Sequence, residues 1–242
     1  MAVTNGLGVR AYVAGYDVSA DTNAIDGLGS NQELLDITTL DKSARARLPG
    51  LSDAEITLNG FFDNATDMSH DVFTADSGKI PGTDQNVTLT LGTSRGDPAC
   101  AFAAKEATYN VSRAPGSAMA TVVNFSASDG YGLSWGVLLT EGPKQTDTSA
   151  TNSASVDNGS STAAGAVAAL QVEAFTGTSA TVKVQDSSDD AVWSDLLTFT
   201  AATGRTSEIV RDTGATAVGR YLRVISTGTF TNLVFVVQVG RL

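Results

Sequence analysis

The strongest constraint on this chain is an alternation of apolar and polar residues with period two, which recurs along most of its 242 residues. Val87, Leu89 and Leu91 alternate with threonines, and an odd-numbered apolar series follows at 131–139. The segment 180–184 repeats the pattern in the second half. Successive side chains of a strand point to opposite faces, so this pattern is typical of half-buried strands. We therefore predict an all-β protein.

A polar segment divides the chain near its middle. PKQTDTSATNS, at 143–153, has few apolar residues and is rich in Thr, Ser and Asn, which is typical of a linker. The length of the chain also suits two modest domains. We predict a β-sandwich domain at 1–142, a linker at 143–153 and a second, smaller β-sandwich domain at 154–242.

One short helix is predicted near 64–76, within the first domain. Asn64 or Thr66 could serve as its N-cap. The apolar residues then fall on one stripe of the helix. They are Met68, Val72 and Phe73.

The pattern also predicts where strands begin and end. A hairpin is expected between 119–125 and 131–139, turning at Asp129 and Gly130. The tripeptide TGT, at 176–178 and 227–229, is too short to indicate a repeat. Further strands are expected in the second half at 167–175, 192–200, 205–211, 219–226 and 229–239.

The chain is strongly acidic, with a formal net charge of −11 from 26 acidic and 15 basic residues. Sequence-independent binding of nucleic acid relies on Lys and Arg to neutralise phosphates, so the charge argues against it. An acidic wall would instead repel DNA and let it slide past. Solubility alone is the other explanation for the charge.

The single cysteine, Cys100, excludes an internal disulfide and suggests synthesis in a reducing cytosol. No apolar run reaches the roughly 20 residues of a membrane span. The start of the sequence lacks the basic and apolar regions of a secretory signal. We expect no membrane association.

The residues that carry chemistry are scarce. His70 is the only histidine, and its place in the predicted helix suits a surface or capping role better than catalysis. Cys100 lies in an apolar strand and is expected to be a small buried hydrophobe. The acidic run at 186–190 lacks the ligand spacing of a calcium loop. We therefore predict no enzymatic activity, no metal and no cofactor.

One long stretch has the appearance of a family hallmark. LDITTLDKSARARLPGLSDAEITLNGFF, at Leu35–Phe62, resembles the tail tube (major tail) proteins of long-tailed bacteriophages. The likeness continues to residue 142 as an ordered series of features. The three parts of the stretch are a Thr-rich strand end at 36–40, a charged segment at 41–50 and a second strand at 53–62. Downstream features are SHDVF at 69–73, a segment at 95–117 and a strand at 129–142.

This resemblance implies a tail-tube-type β-sandwich flanked by a helix. Six copies would form a ring, and stacked rings would form the tube through which the genome is ejected. The implied partners are other copies of the chain and other tail proteins, namely the tape measure, tail terminator and tail tip proteins. Phage DNA would pass through an acidic-lined conduit without specific binding. The implied location is the virion tail, after synthesis in the cytoplasm of the bacterial host.

The resemblance also implies that the loop between the two early strands is an arm that reaches neighbouring subunits. Its mixture of bases and apolar anchors suits an interface better than a solvated loop. An ordinary β-hairpin with a long loop is the alternative. The residues predicted for this inter-subunit arm are Asp41, Lys42, Arg45, Arg47, Leu48, Leu51 and Asp53.

The second half resembles small accessory β-sandwich domains of phage virion proteins, some of which look like carbohydrate-binding modules. Trp193 and Phe175 are candidate ligand contacts, with burial in a core as the alternative for both. Two other functions therefore stay open. The chain could be a different virion protein, such as a capsid decoration or tail-tip component, or a glycan-binding adhesin.

Overall fold

The computed structural model describes residues 6, 8–74, 79–80, 84–212, 214 and 216–242. It confirms the all-β prediction, with one short helix in this part of the chain. The helix is α1 (Ser69–Phe73). The strands are β1 (Arg10–Val13), β2 (Tyr16–Asp17), β3 (Thr22–Asp36), β4 (Arg47–Phe61), β5 (Gln85–Thr90), β6 (Pro98–Ser112), β7 (Ala120–Ala127), β8 (Ser134–Leu138), β9 (Gln145–Asp147), β10 (Thr151–Asn152), β11 (Val156–Asp157), β12 (Ala166–Ser187), β13 (Ser194–Thr198), β14 (Thr206–Asp212) and β15 (Tyr221–Arg241).

The first half of the chain has its own apolar core. In β4, Ala54, Ile56 and Leu58 are buried, while the residues between them point to the opposite face. They pack with alternate residues of β1, β5, β6 and β7, and α1 adds Val72 and Phe73. Burial of each large apolar side chain contributes about 1.5–3 kcal/mol, so this cluster holds the first half together.

The second core is built around two long strands. β12 and β15 pair antiparallel from Ala166 opposite Arg241 to Ser187 opposite Tyr221. β13 and β14 pair with the other edge of β12. The buried residues of these strands form a separate cluster in the second half, joined by Leu139 from the first.

β12 and β15 are each continuous where the sequence predicted two separate strands, at 167–175 and 180–184 and at 219–226 and 229–239. The ladder shifts register near Gly177, and Gly228 lies next to it on β15 with φ at +126°. A Cβ atom on Gly228 would lie 2.3 Å from the Ser179 carbonyl oxygen. The two TGT segments therefore bend a continuous ribbon where a β-bulge requires glycine.

The two cores share one sheet, in the order β13-β12-β15-β8-β6-β5-β1-β2. A small apolar cluster lies where they meet and contains Tyr12, Ala99, Leu138 and Val236. The buried Gln171 of β12 also joins the halves. Its Oε1 accepts a hydrogen bond from the Gly15 amide at 2.7 Å, and its Nε2 donates to the Asn86 carbonyl and to Thr88 Oγ1, both at 2.9 Å.

The segment 143–153 differs from the exposed linker that the composition predicted. β9 and β10 lie within it and pair with β15. Asp147 is buried, and its Oδ2 accepts a hydrogen bond from Ser226 Oγ at 2.5 Å. Backbone pairing and one buried carboxylate order a segment with few apolar side chains. The two cores divide near this segment, and the division into two domains stays a prediction.

The helix predicted over 64–76 is shorter than expected. Asp67 has φ at +66°, a left-handed conformation that does not continue into a helix. The N-cap is Met68, with no capping hydrogen bond from its side chain, so neither predicted cap serves this end. The helix ends at Phe73, and 75–76 lie outside the described residues.

Candidate functional site

A hairpin extends from the first half of the molecule. β3 and β4 pair from Thr22 opposite Gly60 to Asp36 opposite Arg47. β7 pairs with β4 only from Glu55 to Phe61. Residues 29–53, here called the arm, therefore run on as a two-stranded hairpin that is almost wholly exposed.

The arm contains every residue that the sequence predicted for it, but more of them lie on a strand than expected. Asp41, Lys42 and Arg45 lie in the turn between the strands. β4 begins at Arg47, within the segment predicted as a loop. It carries Arg47, Leu48, Leu51 and Asp53.

Large apolar side chains are exposed all along the arm. Leu40 is fully exposed and Leu51 is 84% exposed. Leu35 lies opposite Leu48 in the ladder, and its neighbour Leu34 points to the other face, so both faces carry leucine. Exposed apolar surface of this extent is typical of binding surfaces. The full set is Leu34, Leu35, Ile37, Leu40, Leu48 and Leu51.

The arginines of the arm have no side-chain partner within the described part of the chain. Apart from Arg113, the remaining basic residues of the described chain form ion pairs with carboxylates, lie over aromatic rings or donate hydrogen bonds to oxygen atoms. Arg220 Nη2, for example, donates to Asp157 Oδ2 at 2.6 Å. Neither Arg45 nor Arg47 forms such a contact with the described residues, and Arg113 at the tip of the β6–β7 hairpin resembles them. These guanidinium groups are therefore available to carboxylates of another chain.

The turn of the arm is held by hydrogen bonds from Thr38. Its Oγ1 accepts from the Ala46 amide at 2.9 Å and donates to the Ala46 carbonyl at 3.3 Å. Asp36 Oδ1 accepts from the Thr38 amide at 2.9 Å, and the hydrogen bonds from Thr38 hold the pKa of Asp36 below its ordinary value. The tip thus has a defined shape despite its exposure.

The arm belongs to a layer of strands in the order β3-β4-β7-β6. Both edges of this layer are open within the described residues. β3 pairs only with β4. β6 pairs with β5 up to Ala104, and beyond Lys105 it pairs only with β7. Open edges present unpaired amides and carbonyls, which can pair with strands of another chain.

The face of this layer opposite the core is polar. Thr57 pairs with Asp26 on one side and with Asn124 on the other, and paired residues share a face. Asn59 Nδ2 donates to Asp26 Oδ2 at 2.7 Å. Hydroxyl and amide groups dominate the face. Along the part of the layer where β4 pairs with β7, its charged members are Asp26, Glu55 and Lys105, and the exposed Phe61 lies on it opposite Ala120.

Glu106 is a half-buried carboxyl at the irregular point of β6. The ladder between β6 and β7 shifts register after Glu106, which lies opposite the buried Phe125. Burial disfavours the charged carboxylate and raises the pKa of Glu106 to about 7. The side chain therefore titrates near neutral pH, on the strand whose outer edge is open.

We expect Glu106→Gln to stabilise the protein by an amount that grows as pH rises from about 4.5 and levels off above about 7. The native pKa lies above the unfolded one, so stability present at acid pH is lost as pH rises through about 7. With allowance for partial exposure, the free energy of unfolding should rise by about 1–2 kcal/mol at pH 8 and hardly change at pH 4. Urea unfolding at the two pH values measures this. Glu55→Gln, at an exposed position, is the control. An equal rise in the free energy of unfolding of Glu106→Gln at both pH values would refute the raised pKa of Glu106.

His70 has a structural environment. Its Nδ1 lies 3.0 Å from both Tyr109 Oη and Thr74 Oγ1, and its ring packs 4.6 Å from that of Phe62. The histidine thus links α1 to the β6 strand.

Cys100 is buried, and this burial raises the pKa of its thiol to about 12. The group is therefore neutral and unreactive at physiological pH. Within the described ranges, no cluster of His, Cys, Asp and Glu could hold a metal ion. In the same ranges, no helix is long and apolar enough to cross a membrane.

Trp193, the candidate ligand contact of the second half, is half-buried beside β13. The guanidinium of Arg223 covers one face of its ring, 4.2 Å from the centroid. Gln185 Oε1 accepts hydrogen bonds from Arg223 Nε at 2.9 Å and Nη2 at 2.7 Å, so the cover is fixed. Phe175, the other candidate, packs against the second core near Phe230.

No protein-family model and no curated protein matches the sequence. Several solved structures resemble the fold. A protein in the virion of a native gene transfer agent particle is 16% identical with a TM-score of 0.43, over 55% of this chain and 98% of that one. A protein of the sheath–tube complex of an extracellular contractile injection system is 13% identical with a TM-score of 0.44, over 56% and 92%. The SPP1 Dit protein, from the hub adsorption apparatus of phages that infect Gram-positive bacteria, is 14% identical with a TM-score of 0.35, over 96% and 98%. Similarities at this level do not identify a family.

Proposed function

We propose that the protein is the structural subunit of a bacteriophage tail tube, assembled as stacked rings of six copies. The observation that carries this proposal is the strand layer β3-β4-β7-β6, which is open at both edges in the described residues. The resemblance of residues 7–142 to tail tube proteins supports it. Other tail proteins would be the further partners of this protein in the virion.

The two open edges lie on different strands, so they suit a head-to-tail contact. The β3 edge of one copy would pair with the β6 edge of the next, between residues 106 and 112. A contact between two different surfaces generates a closed ring when the rotation between copies closes. In the ring, every copy would supply one edge of each kind and none would stay open.

The arm would carry the contact between subunits beyond these edges. Its exposed leucines would bury apolar surface worth about 25 cal/mol per Å² on contact with a neighbour. Arg45 and Arg47 have no ion-pair partner in the described chain and would reach carboxylates of that neighbour. A ring would repeat each such contact between every pair of neighbouring subunits, so the free energies of weak ion pairs would add up.

The polar face of the layer would line the channel. Asp26 and Glu55 outweigh Lys105 there, and Lys105 already lies 3.4 Å from Asp84. Hydroxyl and amide groups make up most of the remainder. The lining would therefore be weakly acidic and offer DNA no cluster of bases to hold it.

Electron microscopy of the purified full-length protein at high concentration tests the proposal. We expect hollow tubes built from stacked six-fold rings. Single rings that never stack would instead favour a tail-tip component. Monomers at every concentration would overturn self-assembly and favour a capsid decoration protein or an adhesin.

A further inference from the structure

Glu106 places an ionisable group at the start of the open edge of β6. This edge runs from residue 106 to residue 112, beyond the part of β6 that pairs with β5. The ladder to β7 shifts register between Glu106 and Thr108, so the strand is irregular at this point. Such irregularities re-aim side chains at the edges of sheets. The carboxyl therefore lies where a strand of another copy would begin or end its pairing with β6.

The side chain of Glu106 points to the core side of the strand layer. It lies opposite the buried Phe125, and residues paired in this way share a face. Helix α1 covers the same face, since the ring of Phe73 lies 5.9 Å from that of Phe125 and 6.2 Å from that of Tyr109. Glu106 is half-buried there, although glutamate is seldom buried unless it is paired.

In the described chain, no side-chain hydrogen bond or ion pair offsets the burial of Glu106. Burial is accordingly the one cause that raises the pKa of this carboxyl to about 7. Tyr109, on the same face of β6, has its own pKa raised by burial and then by the charge of Glu106. The neutral phenol therefore gives the carboxylate no opposite charge.

The other titratable groups near this face have partners of their own. On α1, His70 Nδ1 lies 3.0 Å from Tyr109 Oη, and Asp71 pairs with Lys79. Lys105 belongs to the polar face of the layer and pairs with another carboxylate. Where β4 and β7 pair, both place only uncharged residues on the core side. A change of charge at Glu106 is therefore not shared with an ion pair.

The strand proposed as the partner of this edge brings no base of its own. β3 reads TNAIDGLGSNQELLD, and its ionisable residues are Asp26, Glu33 and Asp36. Pairing would therefore cover the open side of Glu106 with backbone and with uncharged or acidic side chains. Loss of water and the approach of like charge both disfavour a carboxylate. The contact would thus be stronger when Glu106 carries a proton.

We infer that contact between neighbouring copies is coupled to protonation of Glu106, each contact taking up as much as one proton from the solvent. Assembly would be favoured at mildly acid pH and opposed at mildly alkaline pH. The sign follows from linkage, because the assembled state binds this proton more tightly than the free subunit does. This inference rests on the proposed function and adds a means of regulating its contact between copies.

The critical concentration for assembly of the full-length protein tests the inference. Sedimentation would measure it at about pH 6 and about pH 8.5 at one ionic strength, a range in which ordinary carboxylates stay ionised. We expect it to be about tenfold higher at alkaline pH, because a pKa shift of one unit corresponds to a tenfold change in an equilibrium constant. Glu106→Gln removes the titrating group and should assemble equally well at both pH values.

Glu55→Gln is the matched control, because it removes a carboxylate from the polar face of the same layer. It should keep the pH dependence of the parent protein, and circular dichroism verifies that both variants fold. Equal critical concentrations of the parent at the two pH values would overturn the inference and leave the proposed function standing. Stronger assembly at alkaline pH would do the same, since it would mean that a base of the neighbour pairs with ionised Glu106.

The variants separate the remaining outcomes. If Glu106→Gln keeps the pH dependence, or if Glu55→Gln loses it, another group is responsible and the inference is overturned. Absence of assembly in all three proteins at both pH values would instead refute the proposed function, and the inference with it.

Discussion

Replacement of both Arg45 and Arg47 by glutamate should abolish long tubes and leave the unfolding temperature of the monomer nearly unchanged. Both side chains are exposed and form no ion pair within the described chain, so the fold loses no ion pair, and the new carboxylate opposite the exposed Asp36 should cost little. An exposed pair is worth only about 0.2–1 kcal/mol, but a ring repeats it at every interface. Glutamate also reverses the charge at both positions, so that a contact with a carboxylate of the neighbouring subunit becomes repulsive.

Negative-stain microscopy measures the length of the tubes, and thermal unfolding measures the stability of the monomer. The matched control is Lys183→Glu with Arg220→Glu, since both double variants change the net charge from −11 to −11 − 4 = −15. The control loses two local ion pairs in the second half but leaves the arm intact. Tubes from the arm variant as long as those of the parent would mean that the arm is only a surface hairpin.

A chain that ends at residue 148 should fold poorly and form no tubes. It would lack Val236, which packs against Tyr12 and Leu138, and Gln171, which satisfies buried groups of the first half. β8 and β9 would also lose their pairing with β15. Exposure of that apolar cluster and loss of the buried hydrogen bonds together cost several kcal/mol.

Circular dichroism should show a melting temperature at least about 10 °C lower than that of the full chain, or no cooperative transition. Val236→Ala in the full chain is the control for partial loss of the apolar cluster, and it should lower the melting temperature by less than the truncation does. If the shortened chain melts at the temperature of the full chain and still forms tubes, the first half is an independent domain. That result would restore the exposed linker that the composition predicted.

The sequence predicted which segments form strands better than it predicted their partners. Alternation reports that one face of a strand is buried, and it correctly placed strands near 119–125 and 131–139. The expected hairpin at Asp129 and Gly130 is wrong, because β7 pairs with β4 and β6 whereas β8 pairs with β6 and β15. Partner choice depends on the whole sheet, which periodicity does not encode.

The arm shows a second limit of prediction from the sequence. Periodicity did not indicate β3, because TNAIDGLGSNQELLD is exposed along most of its length and so carries little alternation. Only the family resemblance implied a strand end at 36–40, and β3 ends at Asp36. The basic and apolar residues of 41–53 were recognisable as interface chemistry, whereas Leu34, Leu35 and Ile37 on the other side of the hairpin were not.

β15 also determines how fast the molecule can reach its native state. This strand pairs with β8, β9, β10, β11 and β12, and Gln238 lies opposite Leu138, a hundred positions earlier. Loop closure over such distances precedes any stabilising contact, so folding should be slow compared with that of helical proteins. Until β15 docks, the open strands of the immature chain can pair with those of its neighbours. Premature association during folding is therefore the main kinetic hazard that this topology creates.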